Sequence, residues 1–332
     1  MKVGLIGNGS WATALAKMLT GNGHELHWWM RNTDAVQHLT EKKHNKDYLS
    51  SVYFPGHIRP TTSLTEVIAG NDIILFCTPS AFIPDVLKQL SPDALKHKKC
   101  ISAIKGIILD ENCLLNDYLQ QHFNVGSDDY VAITGPCHAE EVAQERLSYL
   151  TFSGTHPDTV AQIASLFRCE YINTTLNADL WGTQYAAVLK NIYAIGAGIA
   201  SGLGYGDNFL SVYTTNCFNE MHYFLEQHHA LKPCCHHQDL ITSAYLGDLL
   251  VTCYSTHSRN RTFGTLVGKG YFARKADSEM SMVAEGYYAV EGMYNILKHL
   301  QIELPIVRHL YAILREGASA QETFYTLEQQ FK

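Results

Sequence analysis

Two hydrophobic rhythms divide this chain. Over roughly the first half, short apolar runs alternate with segments whose apolar residues recur at helical spacing, the alternation of strand and helix. Met1 to Ile6 is the first such run, followed by Ala14, Leu15, Met18 and Leu19 on one helical face. Asn22-Gly23 ends that helix, and Glu25 to Met30 reads as a second strand, so the chain opens as a βαβ unit. Further strands are predicted at Asp72 to Cys77, Cys100 to Ile104 and Tyr130 to Thr134, leading into Thr78-Pro79-Ser80, Lys105-Gly106 and Gly135-Pro136. In an α/β sheet such turns form the ligand edge, which makes Lys105 and Gly135 candidates by position. Leu147 to Ser153 and Glu170 to Leu176, separated by a helical Pro157 to Phe167, extend the sheet. From Asp179-Leu180-Trp181 the period is almost wholly helical. The switch predicts an α/β domain over residues 1–180 and an all-α domain over 181–332, with no internal repeat.

The first turn reads Gly7-Asn8-Gly9-Ser10-Trp11-Ala12. Gly7 permits the tight turn, Gly9 lets backbone approach a pyrophosphate, and Ala12 allows the helix to pack on the strand. Strand, glycine turn and helix in this order indicate a Rossmann-like dinucleotide-binding domain, with a phosphate on the helix N-terminus. At the end of the second strand, where an NAD site carries a carboxylate for the ribose, stands Trp29-Met30-Arg31-Asn32, with Asp34 only beyond it. Arg31 is therefore either a cation for a 2′-phosphate or a solvated loop charge.

In the helical half Lys190 stands out, because Tyr185 to Ala200 is otherwise apolar, aromatic or small apart from Asn191. Lys190, Ala194 and Ala197 share a face that lets a backbone or ligand approach closely, unless the lysine simply snorkels to water. Asp248 is a carboxylate set in Leu246-Gly247-Asp248-Leu249-Leu250-Val251-Thr252. Ser258-Arg259-Asn260-Arg261 is a compact donor cluster that can surround a phosphate, or else a helix N-terminus with Ser258 as its cap. Glu285, in Val283-Ala284-Glu285-Gly286, is an internal anchor or a helix-end charge. Cys234-Cys235-His236-His237 lacks the spacing of a structural zinc site, so a surface turn is expected and no metal.

Composition narrows the classes. At 332 residues and 46% hydrophobic the chain supports two domains, and its net charge of −7 opposes non-specific nucleic-acid binding. Nine scattered cysteines and a strand-like start without a signal pattern point to a reducing cytoplasm. The apolar segment around Lys190 is shorter than ~20 uninterrupted residues and carries a charge, so no stable membrane insertion is expected.

Taken in order, Gly7 to Ala14, Ala103-Ile104-Lys105-Gly106, Gly135-Pro136-Cys137-His138-Ala139, Val188-Leu189-Lys190-Asn191, Gly247-Asp248 to Cys253, Ser258-Arg259-Asn260-Arg261 and Val283-Ala284-Glu285-Gly286 closely resemble the bacterial-type NAD(P)-dependent glycerol-3-phosphate dehydrogenases. The resemblance spans nearly the whole chain. It implies reduction of dihydroxyacetone phosphate to sn-glycerol 3-phosphate with NADPH or NADH, supplying phospholipid backbones. It also implies Lys190 as general acid/base, oriented by Asp248, and burial among small residues favours the proton exchange this requires. Lys105 would contact substrate and cofactor, while Arg259 and Asn260 would hold the phosphate. Ser10, Trp11, Arg31, Ala139, Val283 and Glu285 match cofactor positions beside Gly7, Gly9, Lys105 and Arg259. Gly135, Cys137, Lys105, Lys190, Asp248, Ser258, Arg259 and Asn260 match substrate positions.

Three departures stand out: Cys137 replaces the usual serine or threonine, Thr214-Thr215-Asn216-Cys217 lacks an arginine common in the family, and the loop around Cys234 is longer. Two rivals remain, a dehydrogenase of similar architecture acting on another hydroxy acid, and a non-catalytic nucleotide sensor. Pairing Lys190 with Asp248 argues against the sensor. Cofactor preference, product feedback and oligomeric state stay open, with a homodimer permitted.

Overall fold

The apolar runs of the first half lie side by side because strands covered on both faces bury every residue. In a computed structural model, which describes residues 2–54, 56–231, 239–280 and 282–331, they form one eight-stranded sheet. The strands are β1 (Lys2–Ile6), β2 (Glu25–Trp29), β3 (Ile58–Thr61), β4 (Ile73–Phe76), β5 (Lys99–Ser102), β6 (Tyr130–Thr134), β7 (Ser148–Ser153) and β8 (Ile172–Asn177). Their order is β3-β2-β1-β4-β5-β6-β7-β8, parallel except where β7 runs against β6. Every residue of β4 and β6 is buried. β3 was not legible as a strand. It is a partly buried edge element, Ile-Arg-Pro-Thr, in which Arg59-Pro60 breaks any apolar run and proline is tolerated because only one side is paired.

The tight turn after β1 needs its glycine: Gly7 has φ +113°, and a Cβ there would stand 2.5 Å from the Cys77 carbonyl oxygen. Gly135, after β6, is held the same way, with φ +108° and the Tyr149 carbonyl 2.6 Å from a would-be Cβ.

Contacts divide the chain into two compact units, Met1–Ile104 with Leu115–Leu180, and Lys105–Leu114 with Trp181–Lys332. A sequence boundary at 180 puts 105–114 in the first domain, whereas here the stretch packs with the helices. The Asn191 side chain donates to the Lys105 carbonyl (3.1 Å), Asn295 Nδ2 donates to Asn112 Oδ1 (3.0 Å), and Ile107 lies against Gly292. An apolar pattern cannot show which unit a connecting segment will join.

In the second unit the helix Leu180–Gly202 is buried almost throughout. Its small face receives another backbone, since a Cβ on Gly198 would overlap the Arg261 carbonyl and one on Gly264 that of Ile195. Among the described residues no helix is long and apolar enough to cross a membrane and no group of His, Cys, Asp and Glu gathers as a metal site. Cys234-Cys235-His236-His237 lies outside the described residues.

Glu220, on the helix Asp207–Leu231, is 8% exposed and accepts from Ile306 N (2.7 Å), Val307 N (3.1 Å) and the Tyr193 hydroxyl (3.1 Å). It thereby caps the helix Pro305–Tyr311. Burial raises its carboxyl from 4.5 to about 7, the three donors opposing the rise without cancelling it. The folded state therefore keeps this proton to higher pH than the unfolded chain. Its contribution makes stability fall as pH rises from 4.5 to about 7 and adds no slope above that. Glu220→Gln should remove that slope. In urea unfolding between about pH 5 and about pH 8, the stability of wild type relative to the variant should shrink by roughly 2 to 3 kcal/mol. A pH-independent difference would refute the assignment.

Candidate active site

Lys190 is 6% exposed and Asp248 1% exposed. Asp248 is placed by a π-helical turn, Ser243–Gly247, closed by Gly247 N donating to the Thr242 carbonyl (3.1 Å), which leads into the helix Asp248–Tyr254. Lys190 Nζ donates to Asp248 Oδ1 (2.5 Å) and to Thr252 Oγ1 (3.0 Å). The Thr252 hydroxyl gives its own proton to the Asp248 carbonyl (2.6 Å), so its oxygen can only accept from the lysine. Asp248 and Thr252 are four residues apart, which puts both on one helical face. Asp248 Oδ2 lies 3.7 Å from Lys105 Nζ. Two ammonium groups thus surround one carboxylate, and the residual positive charge suits an anionic ligand or an oxygen gaining negative charge.

A second chain of bonds starts at the Lys105 carbonyl. It accepts from Asn191 Nδ2, Asn191 Oδ1 accepts from Asn260 Nδ2 (3.0 Å), and Asn260 Oδ1 accepts from Gly286 N (2.9 Å). Asn260 is thus joined to the segment bearing Val283 and Glu285, and Glu285 opens the helix Glu285–Leu300. Ser258 is the cap of the helix Arg259–Gly268, accepting from Arg261 N (3.3 Å). Arg261 donates through Nη1 to the Tyr254 carbonyl (2.8 Å), and Arg259 stands half-exposed in the first turn.

In the first unit the helix Ser10–Gly21 begins at Gly9 with no side-chain cap bond and no acidic residue in its first turn. A Cβ on Gly9 would meet open space. Ser10 is buried and Trp11 packs against the core. Arg31 is exposed just past β2, and the nearby Asp34 lies in the first turn of the helix Thr33–Lys42, where Asn32 is the cap. Cys137 donates its thiol to the Gly135 carbonyl (3.3 Å), and the buried Ala139 opens the helix Ala139–Ala143.

The chain matches the NAD-dependent glycerol-3-phosphate dehydrogenase N-terminus over residues 2–160 and C-terminus over residues 179–325. It belongs to that glycerol-3-phosphate dehydrogenase family. Glycerol-3-phosphate dehydrogenase [NAD(P)+] of Bacillus pumilus is 32% identical over 100% of this chain and 95% of its own, and that of Staphylococcus carnosus 33% identical over 98% and 97%. The crystal structure of glycerol-3-phosphate dehydrogenase from Coxiella burnetii is 25% identical, covers 99% of both chains and superimposes with a TM-score of 0.92. Family membership sets aside a dehydrogenase of another hydroxy acid. Thr252 and Asn191 are the members of this dehydrogenase's polar cluster that sequence reasoning passed over. The four-residue spacing from Asp248 and the lone amide beside Lys190 were the available signals.

Proposed function

We propose that this protein reduces dihydroxyacetone phosphate to sn-glycerol 3-phosphate with NAD(P)H, reversibly, and so supplies glycerophospholipid synthesis. The observation that carries the reading is Lys190, buried and held by Asp248 and Thr252 with Lys105 on the other carboxylate oxygen. A protonated lysine fixed in this way donates its proton to the substrate carbonyl oxygen as that oxygen becomes an alkoxide, and reclaims it in reverse. Asp248 balances the ammonium before transfer. Arg259 with Asn260 and Lys105 grips the phosphate, and that remote binding energy orients the carbonyl. Gly135, Cys137 and Ser258 complete the substrate set.

The turn after β1 fits a dinucleotide: a glycine cradle, an uncapped helix start and no acid in the first turn together favour a pyrophosphate. Gly7, Gly9, Ser10, Trp11, Arg31, Lys105, Ala139, Arg259, Val283 and Glu285 are the residues that would hold it. When bound, the reduced nicotinamide supplies the hydride to the carbonyl carbon. In this reading residues 1–180, apart from 105–114, are chiefly the dinucleotide-binding domain and residues 181–332 chiefly the substrate-binding and catalytic one. The protein acts in the cytoplasm, in keeping with the free thiols of the seven described cysteines. The reading permits a homodimer and involves no nucleic acid, in line with the net charge of −7.

Following nicotinamide absorbance with dihydroxyacetone phosphate under each cofactor tests the activity. Tight cofactor binding without turnover would favour a sensor instead. Arg31 stands exposed where an NAD-specific site carries a carboxylate. Arg31→Ala should raise the KM for NADPH by about 10- to 100-fold, the worth of a charge-assisted contact, and that for NADH much less. Equal shifts would place Arg31 on the shared adenosine half.

A further inference from the structure

The turn Gly7-Asn8-Gly9 is held from outside by a residue 37 positions away from Asn8. Asn45 is 3% exposed, and its Nδ2 donates both to the Asn8 carbonyl (2.9 Å) and to Thr13 Oγ1 (2.9 Å). Thr13 in turn donates from Oγ1 (3.0 Å) and from its backbone N (3.0 Å) to the Gly9 carbonyl. Two successive carbonyls of the turn are therefore drawn to the same side. In a trans peptide the N–H points opposite to the C=O, so the N–H groups of Gly9 and Ser10 are turned the other way. Successive N–H groups presented together form an anion-binding nest. We infer that Asn45 is a positioning residue for pyrophosphate binding, setting the direction of the N–H groups that the dinucleotide meets; the inference rests on the cofactor reading above.

The segment carrying Asn45 is built to hold still. Lys43 ends the preceding helix in the left-handed region (φ 60°), with its N–H on the Leu39 carbonyl. The Lys43 carbonyl accepts from Phe54 N (2.7 Å), and Phe54 is buried edge-on against Trp28 with ring centroids 5.7 Å apart. The His44 and His38 rings meet through Nε2 at 3.2 Å, and Asn45 Oδ1 accepts from Asp47 N (3.2 Å). The amide must be the donor on one side and the acceptor on the other, which asparagine satisfies and aspartate does not.

The test is calorimetric titration of wild type, Asn45→Ala and Asn45→Asp with NADH, NADPH and ADP-ribose, which has the pyrophosphate without the nicotinamide, alongside steady-state kinetics. Both variants should weaken all three ligands by about 10-fold or more, the scale of a buried hydrogen bond lost with its partner stranded. kcat at saturating cofactor and the KM for dihydroxyacetone phosphate should stay within about threefold. Unchanged ADP-ribose affinity in a folded variant, or a fall in kcat without a change in affinity, overturns the inference alone. A wild type that binds no dinucleotide overturns the cofactor reading and the inference with it. If Asn45→Ala does not fold, Thr13→Val, which keeps shape and the backbone bond but removes the hydroxyl joining Asn45 to the Gly9 carbonyl, must also weaken ADP-ribose binding.

Discussion

Lys190→Met should lower kcat by ~10²-fold or more while the fold and cofactor affinity survive, the usual scale of a lost general acid/base. Methionine keeps the length and the apolar stem, so the helix Leu180–Gly202 loses only the ammonium and its bonds to Asp248 and Thr252. Removing the lysine leaves Asp248 as a buried carboxylate beside Lys105 alone, at 3.7 Å, and Lys105 is then the group that must compensate it. Cofactor titration and circular dichroism separate a chemical defect from a folding defect. Near-normal turnover in the folded variant would remove Lys190 from the reaction.

Arg259→Lys should reduce kcat/KM for dihydroxyacetone phosphate by ~10²-fold, because a lysine keeps the charge but loses the bidentate fork that fits a phosphate. In the same cluster Arg261 donates to the Tyr254 carbonyl and Ser258 caps the helix, while Arg259 stands half-exposed in that helix's first turn. A helix N-terminus itself favours the negative charge there. The low turnover of unphosphorylated dihydroxyacetone should hardly change. If both substrates suffer alike, Arg259 serves the fold or the cofactor.

Some of the alternatives left open at single residues are narrowed by where polar groups found partners. Ser258 is a cap, as a lone serine before a helix suggests, and this does not remove it from a phosphate site one turn long. Lys190 does not reach for water but lies buried against Asp248, 58 residues on, a pairing that no local pattern displays. Gly135 has a backbone reason for being glycine whatever it touches, since its φ is positive and Tyr149 crowds it.

What the amino-acid sequence determined by itself was local and periodic: the strand, glycine turn and helix at the start, the change of rhythm near residue 180, the lysine stranded in an apolar helix, and the ordered motifs of the family. Each depends on backbone geometry or hydrophobic spacing within a few residues, which the chain carries in its pattern. Tertiary structure alone decided that residues 105–114 join the helical unit, that Thr252 accepts from Lys190, that Asn191 links Lys105 to Asn260, and that Asn45 steadies the first turn. These are partnerships between polar groups far apart in sequence. Such groups are chosen when packing removes water and each buried donor or acceptor must find whatever lies within reach.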